Sequence, residues 1–236
     1  MEAELNSIKK IARLAGLLYL IWVMTGMYGI MYVPSKTIVE GDAVATAQKI
    51  LANELIFRSG ILNDLISLTI GVFLLMALYQ LFKQVNELQA KLMVILLMMT
   101  FPVVFIMDAF NITSLMLFKG EVLKTFEIGQ RQDLAMLFLK MNEYGAITLE
   151  MFWGLWLLPF GLLVYASGFI PRVLGLFLFV NGITYIIHCL THLLLPHYQE
   201  LVFKFAMPLW ILGEISIMLW LIIKGVKNNI PVHEFK

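Results

Sequence analysis

The sequence predicts an all-α fold, a six-helix transmembrane bundle with an amphipathic surface helix in the first outer loop, on three observations. Hydrophobic residues fill 61% of 236 positions and mean hydropathy is +0.87, beyond what a soluble domain of this size carries. The apolar residues gather in six stretches, about 14–33, 61–82, 92–118, 144–166, 173–195 and 205–223. Each is long enough to cross about 30 Å of hydrocarbon, which takes roughly 20 helical residues. Backbone groups in lipid must be satisfied within their own segment, which selects helices. Little chain is left over, so residues 1–236 read as a single integral-membrane domain in a lipid bilayer.

The first span follows a basic flank, Lys9, Lys10 and Arg13. Its apolar run is too long for a signal peptide's core, which predicts an uncleaved helix. In the loop that follows, Gly41-Asp42 offers an N-cap. Val44, Ala47, Leu51 and Leu55 then recur at helical spacing, with Gln48, Lys49 and Asn53 turned to water. In the second span Asp64, Ser67 and Gly71 share a face, and a tight turn at 83–91 leads to the third. There Asp108 and Asn111 share a face. Beyond the 119–131 loop, Asp133 is placed to cap a short helix leading into the fourth span, where Glu143 and Glu150 align. A second tight turn, 167–172, precedes the fifth span, and the sixth carries Glu214. Pro102, Pro159 and Pro208 predict kinks in spans three, four and six, since proline removes a backbone donor.

Charge sets the sidedness. With the N-terminus inside, nine Lys and Arg residues, Lys236 among them, face the cytoplasm and eight face out. The inner loops are shorter and so more densely basic, which puts both termini in the cytoplasm. A net charge of +1 argues against nucleic acid as a partner. The lone Cys189 excludes an intrachain disulfide and a multi-cysteine metal site.

The chemistry-bearing residues lie inside the spans. On the fifth, Asn181, Thr184, Tyr185, His188, Thr191 and His192 form one stripe at helical spacing. Asp64, Asp108, Glu150 and Glu214 add one acid from each of four other spans. At about 1.5 Å per residue, Asp64 lies about 5 Å below the outer end of its span, Glu150 and His188 about 10 Å, and Asp108 and Glu214 nearer 15 Å. All fall in the outer half, which disfavours a through-channel and predicts an outward-facing polar cup. Ionisable groups in hydrocarbon are costly and turn towards a cavity or one another. The expected binding set is Asp64, Asp108, Asn111, Glu150, Tyr185, His188, His192 and Glu214, holding a small-molecule or lipid-like ligand. No Lys or Arg lies deep in any span to neutralise the acids, which favours a cationic, metal or proton-linked ligand.

Two alternatives stand beside the cup. His188 and His192, one turn apart, could with a carboxylate make a zinc centre for hydrolysis, the one cofactor the residues suggest. Or the polar residues only bond the helices to one another. A haem held between the two histidines is disfavoured further, since both lie on one helix and cannot face each other across it.

Four segments carry a resemblance: Ile11-Ala-Arg-Leu-Ala-Gly-Leu-Leu-Tyr19, Ala52-Asn-Glu-Leu-Ile-Phe-Arg58, Asn142-Glu-Tyr-Gly145 and Ser167-Gly-Phe-Ile-Pro-Arg-Val-Leu-Gly175. Together they resemble an uncharacterised bacterial integral-membrane family, domain of unknown function 4386, over almost the whole chain. The resemblance implies a multi-pass protein of the bacterial cytoplasmic membrane and supplies no site residues. His188-x3-His192 also resembles part of the seven-helix membrane hydrolases that include alkaline ceramidases. Here there are six spans and no matching third histidine.

Overall fold

A computed structural model describes residues 2–227, whose regular structure is all helical, with no strand among them. Lys236, counted above for sidedness, lies outside the described residues. Six helical segments are long and apolar enough to cross a membrane: Asn6–Thr37, Glu54–Phe82, Glu87–Lys119, Ile128–Ala166, Arg172–Leu194 and Pro196–Ile223. The protein is a multi-pass membrane protein.

The first of these is α1 (Glu2–Met27), a π-helical turn (Tyr28–Tyr32) and α2 (Val33–Thr37), run together without a break. The surface helix is α3 (Ala43–Ala52), capped by Asp42, whose Oδ1 accepts from the Ala45 N–H at 2.8 Å. Its protein-facing residues are Thr46, Ala47 and Ile50. Val44, Leu51 and Leu55 are exposed, as suits an amphipathic helix whose apolar residues meet the bilayer interface.

After α4 (Glu54–Phe82) the third span divides into α5 (Glu87–Met98) and α6 (Phe101–Lys119). The break falls just ahead of Pro102, which lacks a backbone donor and disfavours helix before it. Pro159 and Pro208 end no helix: α7 (Ile128–Ala166) and α9 (Gln199–Ile223) run through them, α9 following α8 (Arg172–Leu194). The short helix expected after Asp133 is absent too. The 39 residues of α7 form one helix from Ile128, about 58 Å long at 1.5 Å per residue.

The chain gathers into two compact units. The aromatic unit takes the N-terminal residues through Ile21, Ile70–Thr100, and everything from Ile147. The aspartate unit takes Trp22–Thr69 and Phe101–Ala146.

Within the aromatic unit Phe82 meets Phe160 edge-on at 5.7 Å and Phe169 in a stack at 5.8 Å. Trp156 stacks on Phe160 at 5.4 Å. Here α7 and α8 touch backbone to backbone at glycines seven residues apart on each helix. A Cβ on Gly154 would sit 2.5 Å from the Gly182 carbonyl oxygen, and one on Gly161 would sit 2.7 Å from that of Gly175. Small residues are what membrane helices need for such close approach. Gly154→Ala is expected to lower thermal stability in detergent by about 1–3 kcal/mol, the usual cost of overpacking. Gly26→Ala, with nothing within 4 Å of the new methyl, should leave it unchanged or slightly raised. Equal effects from the two would contradict the glycine contact.

Within the aspartate unit Ile50, Phe57, Leu115 and Leu139 form the apolar core, flanked by Ile61, Phe118 and Met136. The Ser114 hydroxyl donates to the Ala135 carbonyl at 2.7 Å and ties α6 to α7. At the surface Glu54 pairs with Arg58 at 2.7 Å and with Lys119 at 3.2 Å.

Candidate functional site

The residues singled out in the sequence divide between the two units. Glu150, Tyr185, His188, His192 and Glu214 belong to the aromatic unit; Asp64, Asp108 and Asn111 belong to the aspartate unit.

In the aromatic unit the stripe on α8 faces protein. Asn181, His188 and Thr191 are buried, and Thr184, Tyr185 and His192 are half-buried. His188 meets Glu150 of α7 directly, Nδ1 to Oε2 at 2.5 Å, with 8% and 13% of the two side chains exposed. Glu214 of α9 is held by two phenols: Tyr19 of α1 and Tyr185 of α8 each donate to one carboxyl oxygen at 3.0 Å. Tyr185 stacks on Trp210, rings 4.2 Å apart and 4° from parallel. The Trp210 indole N–H donates to Thr184 Oγ1 at 3.1 Å, and Asn181 Nδ2 donates to the Trp210 carbonyl at 3.1 Å. Glu150 and Glu214 each have a direct partner on another helix. The network binds α1, α7, α8 and α9 together.

His188 and His192 are T-shaped neighbours with ring centroids 6.3 Å apart. Among the described residues no three His, Cys, Asp or Glu side chains gather closely enough to hold a metal ion. Two apolar grooves within the aromatic unit have volumes of about 270 and 340 Å³. Neither is lined by an acid or a histidine.

In the aspartate unit the balance is different. Asp64 of α4 sits under the π-helical turn, where a Cβ on Gly29 would lie 2.9 Å from its Oδ1 and 3.1 Å from Asn63 Nδ2. Asn63 donates to the Thr25 carbonyl at 2.9 Å and reaches Asp64 Oδ1 at 3.4 Å. Thr25 donates to Ser67 Oγ at 3.0 Å. Asp108 of α6 faces the Asp64 carboxyl within hydrogen-bonding reach. It is only 5% exposed, and neither of its oxygens receives a donor from the described residues. Asn111, one turn along α6, is half-buried.

Two unit charges about 4 Å apart repel by about 4 kcal/mol at an effective dielectric near 20. Two carboxyls this close are stable only where a shared proton or a cation offsets that repulsion. The hydrogen-bonding accounts separate the acids cleanly: Glu150 and Glu214 are satisfied, and Asp108 is not.

Sequence reasoning found both aspartates but not what surrounds them. Tyr19 reads as an interfacial aromatic, and Gly29, Thr25 and Asn63 carry no periodic signal. A π turn has no sequence signature in a span that is apolar on every side, although such turns recur at functional sites.

The family model for a domain of unknown function, DUF4386, matches residues 14–225. The chain belongs to the DUF4386 family. The match covers both groups of polar residues, from Tyr19 to Glu214, so each lies inside the DUF4386 domain. No curated protein and no solved structure matches the chain.

Proposed function

We propose that this DUF4386 protein binds a small positively charged ligand at its intramembrane acids, in the cytoplasmic membrane of a bacterium with both termini inside. Asp64, Asp108 and Asn111 of the aspartate unit are the polar residues available to it. The observation that carries the reading is Asp108: buried, facing a second carboxyl, and without a donor. A buried acceptor left unsatisfied costs stability, so such groups are retained where something else completes them. A cation supplies what neutral side chains there do not. The sidedness rests on the basic flank of α1 and the short basic inner turns.

The aromatic unit favours a second, structural role for its own polar residues, because Glu150 and Glu214 are already paired across helices. Zinc hydrolysis at His188 and His192 has least behind it. The His188 Nδ1 is engaged by Glu150, and among the described residues no three His, Cys, Asp or Glu side chains gather to hold a metal ion.

The test is a thermal-shift panel on the purified full chain in detergent, in a choline chloride background of constant ionic strength. Sodium, potassium and the lipophilic cation tetraphenylphosphonium are titrated separately. At least one should raise the unfolding midpoint in a saturable way, as any ligand specific to the folded state does. No response to any cation would overturn the proposal and leave the structural role for all the polar residues.

A further inference from the structure

We infer that Asp64 and Asp108 form a binding site for one small monovalent cation, of the size of sodium, beneath the π-helical turn at Tyr28–Tyr32. This rests on the cationic-ligand reading above and gives that ligand a place and a class.

Two independent features point to it. Asp108 is buried and aimed at Asp64, with both oxygens free of donors. Separately, the backbone of the first span widens into a π turn where Gly29 lies against Asp64, so that a Cβ there would sit 2.9 Å from Asp64 Oδ1. Such turns recur in helices where a site must be shaped.

The chemistry of the surroundings selects the ion. Oxygen donors suit hard cations rather than zinc or copper. Beyond the two carboxyls, the nearby groups are neutral: the Ser67 and Thr25 hydroxyls and the Asn63 amide. A calcium ion takes six to eight oxygens, usually with more carboxylates, and magnesium demands a near-ideal octahedron. No third acid or histidine joins the pair among the described residues. One positive charge placed between two carboxyls removes most of their repulsion, and neutral oxygens complete its shell.

The experiment is equilibrium binding of radiosodium to the detergent-purified full chain at fixed neutral pH, with unlabelled sodium, potassium, calcium and choline as competitors. Wild-type protein should bind saturably, with unlabelled sodium competing and choline not. Asp64→Asn and Asp108→Asn should abolish binding, and Ser67→Ala should weaken it by roughly 10-fold, as loss of a supporting group around a metal does. Glu143→Gln, in the exposed Lys140–Glu143 pair of the same unit, should bind as wild type. Monodisperse elution of each variant shows that lost binding is not lost folding. Binding undiminished in both aspartate variants overturns the site, and calcium displacing sodium at far lower concentration overturns the ion class. No sodium binding at all overturns the inference. If tetraphenylphosphonium still raises the unfolding midpoint in that case, the broader proposal survives with a larger cation.

Discussion

His188→Leu is expected to destabilise the protein by about 2 kcal/mol, because it leaves a buried carboxyl without its partner. Glu150 and His188 are 13% and 8% exposed and meet at 2.5 Å, so water cannot replace the imidazole. The double variant Glu150→Leu/His188→Leu should recover most of the loss, since an apolar pair of similar volume leaves nothing unsatisfied. Unfolding in a graded detergent mixture measures both. The pattern expected is strong coupling, with the single variant worse than the double. Additive losses would contradict the pair and its role in joining α7 to α8.

Asp108→Asn should do the opposite in sodium-free medium and raise stability by about 2 kcal/mol. The substitution removes one of two like charges and supplies an N–H that the Asp64 carboxyl can accept. A stabilising substitution of a buried acid is the mark of a residue kept for binding at the expense of folding. Thermal unfolding in choline chloride reads it directly. A loss of stability instead would mean that Asp108 is a structural group with a partner in the folded protein.

How much of this could be read from the sequence depends on which link is asked. The six spans follow from length and hydropathy, and the inward face of α8 from spacing alone, because a buried polar stripe on an apolar helix repeats every turn. The pairing of His188 with an acid follows from cost, though the choice of Glu150 over Glu214 required the helices to be placed. Other features were hidden. On α3 the spacing did not reveal that Thr46 packs with Ala47 and Ile50 while its hydroxyl bonds Val39. Pro159 leaves α7 continuous, since a long membrane helix tolerates one lost backbone donor. The grouping of acids could not be foreseen from depth, which places residues at a level without saying which helices they face. The satisfied and unsatisfied carboxyls therefore look alike in the sequence and differ only in their neighbours.

The most direct measurement is the sodium-induced shift of the unfolding midpoint, compared between Asp108→Asn and Glu150→Gln at fixed neutral pH. With the cation at the aspartate pair, Asp108→Asn loses the shift while Glu150→Gln keeps it, whatever either does to stability without sodium. At a concentration 100 times the dissociation constant the retained shift corresponds to about 2.7 kcal/mol. The reverse pattern, with the shift kept in Asp108→Asn and lost in Glu150→Gln, would place the ligand at the histidine pair and contradict the assignment made from hydrogen bonding.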